Sequence, residues 1–424
     1  MINIPDGWEL RTLNYLCDDF IVPMRDKPKE FNGNVPWCKI EDFNGKYLST
    51  SQNNQFVNEN TIRKMNLKVN PVDTVLCSCS AVLGVTAIVK KPLITNQTFI
   101  GIVPNSKKLD SQLLYYILPT HIKQFENISS GTTIVYISRD KFEKLEILLP
   151  KEKKEQEKIA EILSEVDSAI NKAEAYYEKN RKIKTALMQD LLTHGIDEKG
   201  KIRNPKTHQY KDSSLGDIPM EWDSKELSQI SFLTSSKRVF LSEYKSAGIP
   251  FYRGKEISEL QNKQQVSDML YISEEKYNEI KKNYGAPKLN DILITAVGTL
   301  GNIMRVSNND KFYFKDGNLI WLQNINIDAF FLEYLLRFIK NSILDNAIGS
   351  SQKALTIKSL KNMQVIFPQD TSEQQKIAQI LLSQDEKIEK SKAKLEKLKS
   401  LKTALMQDLL SGTKRVNHLL GEEI

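Results

Sequence analysis

The sequence predicts an α+β protein with a pseudo-two-fold internal repeat. Two mixed α/β domains are expected, separated by two long helices that pack as an antiparallel coiled coil. Three observations support this fold class. A 38-residue segment occurs twice, both copies have apolar residues at heptad spacing, and the segments before the copies share a framework but few other residues. The chain therefore alternates variable and constant parts.

The two copies of the constant segment are 155–192 and 373–410. They align without a gap at an offset of 218, and 22 of their 38 positions are identical. The nine letters KTALMQDLL recur unchanged. Shared composition does not produce such a match, so the chain is an internal duplication.

Each constant segment has apolar residues at alternating steps of four and three, a heptad pattern that favours pairing of helices. About 40 residues without Pro or Gly predict a rod of roughly 60 Å. Because each helix leaves one variable domain, head-to-tail pairing is expected, with an approximate two-fold axis. In the second copy, polar Gln384 and Ser391 occupy the heptad frame. The residues predicted to form the helix-pair or partner-binding face are Ile159, Leu163, Val166, Ile170, Tyr177, Leu187 and Met188 in the first copy, and Ile377, Leu381, Ile388, Leu395, Leu398, Leu405 and Met406 in the second.

The predicted ends of the helices follow from Pro and Gly. Each helix begins just after Pro150 or Pro368, and Thr371 or Ser372 can cap the second one. Gly195 and Gly412 stand where C-terminal stops belong.

The variable domains share spaced landmarks. Ile-Pro-x-x-Trp occurs at 4–8 and at 218–222, and buried strands are predicted at 74–78 and 291–297. Short helices are predicted at 114–118 and 330–339. Residues 100–130 and 322–348 show no clear alignment by sequence.

These patterns divide the chain into six parts. The predicted parts are a first variable domain (1–150), a first helical region (151–195), a linker (196–216), a second variable domain (217–368), a second helical region (369–412) and a C-terminal tail (413–424).

Composition narrows the function classes. The net charge is +7, with the excess outside the helical regions, which suits a polyanionic partner. No apolar window is long enough to span a membrane, and the N-terminus does not resemble a secretion signal, so a cytoplasmic location in a bacterium or archaeon is expected. The four cysteines are expected to be reduced packing thiols, since Cys77-Ser-Cys79 does not have zinc-ligand spacing.

No catalytic motif is apparent. The sequence contains neither an Asn/Asp-Pro-Pro-aromatic loop nor a GxxxxGK[ST] phosphate loop. Its four histidines are scattered and have no partner at motif spacing. We therefore predict no catalytic residue and no metal site.

Pro-x-x-x-x-Glu-Gln-x-Lys-Ile-Ala-x-Ile-Leu, followed by a long helix ending in Leu-Met-Gln-Asp-Leu-Leu, occurs at 150–192 and again at 368–410. This arrangement resembles the conserved regions of type I restriction–modification specificity subunits. The Ile-Pro-x-x-Trp starts are similar to those of the same family's target recognition domains. The resemblance extends over nearly the whole chain.

The resemblance implies a function and a set of partners. Each target recognition domain would read one half of a bipartite, asymmetric double-stranded DNA target, and the helices would set the gap between the halves. Two methyltransferase (M) subunits and two restriction motor-nuclease (R) subunits would complete the complex. No cofactor is expected in this chain, because S-adenosylmethionine, ATP and magnesium would belong to those partners. Two alternatives stay open: a stand-alone DNA-binding or coiled-coil scaffold, and a nuclease whose site has no recognisable motif.

Candidate DNA contacts lie after predicted strands and in polar loops at equivalent places in the two domains. A solvated loop, or ordinary turn chemistry, is the alternative interpretation for each. Trp8 and Trp222 are expected in the core rather than stacked on bases. Glu155-Gln156 and Glu373-Gln374 are expected to join domain to helix, and contact with the methyltransferase is the alternative. The candidate DNA-binding residues are Lys39, Ser78, Ser80, Ser130, Gly131, Thr132 and Thr133 in the first domain, and Arg253, Lys255, Thr295, Thr299, Ser350, Ser351, Gln352 and Lys353 in the second.

Overall fold

The computed structural model describes residues 4–80, 82–129, 136–261, 264–349 and 353–420. The chain forms two compact units. The first unit combines Met1–Glu174 with Ala393–Ile424, and the second is Ala175–Lys392. Each unit thus contains one variable domain, called here the first head (1–150) or the second head (217–368), together with parts of both long helices.

Within its described residues, the first unit has ten strands in three sheets. The strands are β1 (Trp8–Thr12), β2 (Cys17–Ile21), β3 (Val35–Cys38), β4 (Tyr47–Leu48), β5 (Phe56–Val57), β6 (Val75–Ser78), β7 (Thr86–Val89), β8 (Ile94–Thr95), β9 (Phe99–Pro104) and β10 (Glu146–Pro150). The sheet orders are β2-β9-β6-β7-β4, β5-β3-β8 and β1-β10. The α-helices are α1 (Leu13–Leu16), α2 (Glu59–Lys64), α3 (Ser111–Ile117), α4 (Ile122–Ile128), α5 (Arg139–Glu143) and the first part of α6 (Lys153–Thr193).

The described part of the second unit has twelve strands in four sheets. The strands are β11 (Tyr210–Lys211), β12 (Ile218–Pro219), β13 (Trp222–Glu226), β14 (Phe232–Thr234), β15 (Tyr244–Lys245), β16 (Ile249–Tyr252), β17 (Leu270–Ile272), β18 (Ile292–Thr295), β19 (Ile303–Arg305), β20 (Tyr313–Phe314), β21 (Leu319–Gln323) and β22 (Gln364–Pro368). The sheet orders are β14-β21-β18-β19, β15-β17-β16-β20, β13-β22 and β11-β12. The α-helices are α7 (Leu227–Ile230), α8 (Gly254–Gln261), α9 (Glu274–Tyr284), α10 (Ala329–Phe338), α11 (Lys340–Asp345) and α12 (Ile357–Lys361), together with the last part of α6 and the first part of α13 (Thr371–Leu410).

The two heads repeat one another in detail. In each, the first strand after the Ile-Pro motif pairs antiparallel with the last strand, and the framework tryptophan opposes the final proline: Trp8 faces Pro150, and Trp222 faces Pro368. The central antiparallel order β2-β9-β6-β7 recurs as β14-β21-β18-β19. Both tryptophans are buried, as predicted.

The long helices pack against each other in opposite directions within each unit. In the first unit, Ile159 and Leu163 near the start of α6 share a core with Leu409 near the end of α13. In the second unit, Ile377 and Leu381 near the start of α13 share a core with Leu191 and Leu192 near the end of α6. The predicted antiparallel pairing is confirmed, and the unchanged KTALMQDLL segments complete head cores.

The ends of the helices match the prediction in part. Gly195 and Gly412 have left-handed φ values of +63° and +72°, as a C-terminal stop requires. The cap of α13 was predicted wrongly, because the carboxylate of Asp370, rather than Thr371 or Ser372, accepts a bond from the Ser372 backbone N–H at 2.9 Å. Aspartate has a charged acceptor, which suits the exposed N–H groups and the positive end of the helix dipole.

Burial governs the chemistry of the cysteines. Cys38, Cys77 and Cys79 are buried, and Cys17 is half-buried. Burial raises the pKa of the Cys17 and Cys38 thiols to about 12 and that of Cys79 to about 11, so these thiols are protonated near neutral pH. Among the described residues, no group of three His, Cys, Asp or Glu side chains could hold a metal ion. Over the same residues, we find no helix with the length and apolarity needed to cross a bilayer.

Candidate nucleic-acid interface

In the second head, four chain segments meet at one place, and three of them follow strands. The segment after β16 lies against the turn after β18, since Gly254 is next to the Val297 carbonyl oxygen. The N–H of Leu355 donates to the Ala296 carbonyl at 2.9 Å, which brings the segment after residue 353 to the same turn. The N–H of Lys315 donates to the carbonyl of Tyr252 at 2.8 Å. We call this group of loops (252–255, 296–301, 315–318 and 353–355) the second strand-end cluster.

The first head has the same arrangement with different side chains. The N–H of Ile137 donates to the Cys79 carbonyl at 2.9 Å, and the N–H of Asn96 donates to the Cys38 carbonyl at 3.2 Å. Ser80 also forms an isolated bridge with Tyr136. These loops (38–40, 79–80 with 82–84, 96–98 and 136–137) form the first strand-end cluster. The predicted candidates of each head that lie in described residues are thus brought together.

Ser78 and Thr295 are the last residues of the strands β6 and β18 that lead into these clusters, and their side chains have a structural role. Both side chains are buried. The Ser78 hydroxyl accepts from the Val85 N–H at 2.8 Å, and the Thr295 hydroxyl accepts from the Asn302 N–H at 2.8 Å while donating to the Thr299 carbonyl. These bonds shape the turn that presents its neighbours. Gly301 completes the second turn with a φ of +69°.

The other candidates differ in exposure. Lys255, Thr299 and Lys353 are exposed, while Lys39 and Ser80 are half-buried. The Lys39 ammonium lies 5.5 Å from the centroid of the Trp37 ring. The remaining predicted residues lie outside the described residues, and they are Ser130, Gly131, Thr132, Thr133, Ser350, Ser351 and Gln352.

Arg253 is bound inside its own head. Its guanidinium donates to the fully buried carboxylate of Glu256, with Nε at 2.9 Å and a second nitrogen at 2.5 Å, and that carboxylate also accepts from the Arg253 backbone N–H at 2.6 Å. Burial alone would raise the pKa of Glu256, but the bonds from Arg253 lower it below its ordinary value. Arg253 therefore fixes the start of α8, and any contact with DNA is an additional role.

We expect Arg253→Ala to lower the free energy of unfolding of the second unit by about 2–3 kcal/mol, because it leaves the buried Glu256 charge without its partner. Since the folded pKa of Glu256 is depressed, the contribution is present above pH 4.5 and is lost as the pH falls through the folded pKa. Urea unfolding measures the effect. The double variant Arg253→Ala/Glu256→Gln should recover part of the loss, and wild-type stability in the single variant would show that the pair contributes nothing.

Sequence patterns missed one exposed segment beside the second strand-end cluster. Phe240 and Leu241 are 61% and 81% exposed. They follow Lys237, whose N–H donates to the Tyr313 hydroxyl at 2.8 Å, and Arg238, whose Nε donates to Asp316 at 2.8 Å. Exposed apolar side chains next to cations suit contact with a thymine methyl group flanked by phosphates. The detectable signal was the run Lys-Arg-Val-Phe-Leu, which two residues separate from the end of the short strand β14.

The head and its own helix are joined by a glutamine in both units. The Gln156 amide accepts from the Asp110 N–H at 2.9 Å and donates to the Pro150 carbonyl at 2.9 Å. Gln374 repeats both bonds, accepting from the Asp328 N–H and donating to the Pro368 carbonyl, each at 2.7 Å. The predicted joining role of Gln156 and Gln374 is confirmed.

Asp110 and Asp328 also settle an alignment that the sequence left open. Each caps a helix, α3 by accepting from the Leu113 N–H at 2.9 Å and α10 by accepting from the Phe331 N–H at 2.8 Å. Because Asp110 and Asp328 are 218 positions apart, the offset that relates the two long helices also relates the two heads from residue 110 onward.

A Tyr–Asp–Lys group connects each head to both long helices. In the first unit, the Tyr116 hydroxyl donates to Asp167 at 2.7 Å, and Lys402 pairs with Asp167 at 2.6 Å. In the second unit, Tyr334 donates to Asp385 at 2.8 Å, and Lys184 pairs with Asp385 at 2.6 Å. Burial and the adjacent carboxylate raise the pKa of both phenols, so each hydroxyl keeps its proton. All three positions recur at the offset of 218.

Glu155 and Glu373 are buried at the start of their helices, and each receives an arginine from a distant segment. Arg415 of the tail binds both oxygens of Glu155, at 2.6 and 2.7 Å. Arg203 of the linker binds both oxygens of Glu373, at 2.5 and 2.9 Å. The tail and the linker thus bind the two units in equivalent ways. We call the Glu155–Arg415 and Glu373–Arg203 pairs the glutamate–arginine clamps.

A family model described as "Type I restriction modification DNA specificity domain" matches residues 5–180 and 219–400, one match for each head with most of its helix. The chain belongs to this family.

Similar proteins of the specificity family match the chain almost end to end. The Type I restriction enzyme MjaIX specificity subunit of Methanocaldococcus jannaschii is 26% identical over 429 residues, covering 98% of this chain and 95% of the relative. The MjaVIII specificity subunit of the same organism is 25% identical over 431 residues, covering 99% and 95%. A crystal structure of a type I restriction–modification S subunit from M. genitalium has a TM-score of 0.59 at 19% identity, covering 96% of this chain and 97% of that one. At that identity the likeness shows a common fold.

Proposed function

We propose that this chain is a non-catalytic DNA specificity subunit in which each head reads one half of a bipartite, asymmetric target. One observation supports this most directly: the two heads repeat the same central sheet order and present different side chains from equivalent strand-end clusters. A framework that is kept while its exposed loops diverge suits two readers of two different base sequences.

The chemistry of the clusters suits DNA. In the second cluster, Lys255 and Lys353 are exposed cations and Thr299 is an exposed hydroxyl, a set of groups that can bind phosphates and base edges. In the first cluster, Lys39 stacks against Trp37. The net charge of +7 favours approach to a polyanion.

The partners follow from the family. We propose that two M subunits dock on the helical regions and methylate adenine, and that two R subunits complete the nuclease in the cytoplasm. Methylation of a base in a duplex requires that the base be flipped out of the stack, so reading and chemistry can be divided between subunits. S-adenosylmethionine, ATP and magnesium would be bound by those partners.

The decisive experiment is co-expression of this chain with the methyltransferase encoded beside it, followed by genome-wide mapping of methylated adenine. We expect a bipartite motif that appears only when the chain is present. Unchanged methylation despite co-purification would favour a scaffold without a reading role. Cleavage of DNA by the purified chain with magnesium alone would contradict the non-catalytic assignment.

A further inference from the structure

One layer of the helix pair in the second unit is polar. The Gln384 amide Nε2 donates to the Asn180 carbonyl at 2.9 Å and to the Asn180 side-chain oxygen at 3.2 Å. The Asn180 amide in turn donates to the Tyr176 carbonyl at 2.8 Å. Both side chains are about 95% buried, with 5% and 4% of their surface exposed. The Asn180 amide nitrogen thus has a partner within α6, whereas the Asn180 side-chain oxygen and the Gln384 amide nitrogen have theirs across the α6–α13 pair.

The equivalent layer of the first unit is apolar. The offset of 218 relates Gln384 to Val166 and Asn180 to Leu398. Val166 and Leu398 pack with Ile170, Ala173 and Leu395 in one apolar cluster. The duplicated helices have therefore diverged at these two positions in a complementary way.

We propose that the Asn180–Gln384 bond makes the helix pairing selective. It favours the α6–α13 pair over an α6–α6 pair and over an α13–α13 pair. In an antiparallel α6–α6 pair, Asn180 would face Val166 of the other copy at both ends. In an α13–α13 pair, Gln384 would face Leu398. Each mismatch leaves one buried polar atom without its partner across the helices, either the Asn180 side-chain oxygen or the Gln384 amide nitrogen, which disfavours the pair by about tenfold or more per atom. A single polar position in a helix seam is known to select partners in this way.

The ion pairs between the helices and the clamps cannot supply this selectivity. Asp167 and Asp385 are equivalent, and so are their partners Lys402 and Lys184. The same holds for the two glutamate–arginine clamps. Homotypic pairs would keep all of these contacts. Glu174 and Lys399 also pair between the helices, at 3.6 Å, and their equivalents at the offset of 218, Lys392 and Arg181, have like charges. Both side chains of that pair are about half exposed, so it contributes little, and the discrimination rests on the Asn180–Gln384 layer.

The test begins from the folded full chain with a protease recognition sequence inserted after Lys206, an exposed position of the linker. Cleavage leaves an N-terminal and a C-terminal fragment held together by the helices. Isotope-labelled and unlabelled samples are mixed, and urea is raised until half of the complexes contain one labelled and one unlabelled fragment. This step ensures that the fragments of every sample have exchanged partners before measurement. Native mass spectrometry then counts the three possible pairs. For the wild type we expect heterotypic pairs, with homotypic pairs below about one in a hundred.

Two variants test whether selective pairing depends on the difference between the two layers or only on the presence of polar side chains. Asn180→Leu/Gln384→Val makes both layers apolar, and Val166→Gln/Leu398→Asn makes both layers polar. Each removes the difference between the halves, so each should give homotypic and heterotypic pairs near the statistical ratio of 1:2:1. The control Lys179→Ala/Lys387→Ala changes two exposed residues of the same helices and should behave as the wild type. Homotypic pairs from the wild type, or purely heterotypic pairs from the apolar variant, would overturn the proposal.

Discussion

Replacing Glu373 by alanine should lower the free energy of unfolding of the second unit by about 3–5 kcal/mol. The carboxylate accepts bonds from Arg203, from Trp222 Nε1 at 3.2 Å and from the Ile196 N–H at 3.0 Å. The Arg203 side chain is only 7% exposed, so water cannot replace the lost partner. One substitution thus leaves a buried cation and two buried donors without their acceptor.

Urea unfolding gives the size of this effect, and hydrogen exchange followed by mass spectrometry places it in the second unit. The matched control is Glu221→Ala, which removes the other carboxylate near Arg203, at 3.4 Å and 60% exposed. That change should cost less than about 1 kcal/mol. Glu373→Gln keeps an acceptor but not the charge, and should fall between the two. Equal stability of Glu373→Ala and Glu221→Ala would show that the clamp does not stabilise the head.

Insertion of one heptad into both long helices should change the gap of the DNA target and leave both half-sites unchanged. Because α6 and α13 pair in opposite directions, the insertions must be matched, for example after Lys172 and after Lys390, which are related by the offset of 218. Seven helical residues add about 10 Å, close to three base pairs of DNA. This prediction rests on the proposed function, in which the helices set the gap.

Methylome mapping measures the result. We expect methylation of the original motif to disappear and a motif with a gap longer by about three base pairs to replace it. A seven-residue insertion after Lys206, in the linker, is the control and should leave the gap unchanged. An insertion in α6 alone should disturb the register of the pair, including the Asn180–Gln384 bond, and reduce stability. An unchanged gap in the matched double insertion would mean that the helices do not set the spacing.

The sequence by itself determined the duplication, the two long helices, their antiparallel pairing and the family. These features depend on local periodicity and on identity at a constant offset, both of which are visible in one chain. The burial of Trp8 and Trp222 was predictable for the same reason, since both stand at framework positions.

Only the tertiary structure decided which side chains meet. Arg415 binds Glu155 across 260 positions of sequence, and Gln384 binds Asn180 across 204. Likewise, nothing local distinguishes Ser78, which holds a buried turn, from a hydroxyl that faces a ligand. Helical periodicity is a short-range property of the backbone, whereas these contacts form only when distant segments dock, and a single sequence contains no record of which segments do so.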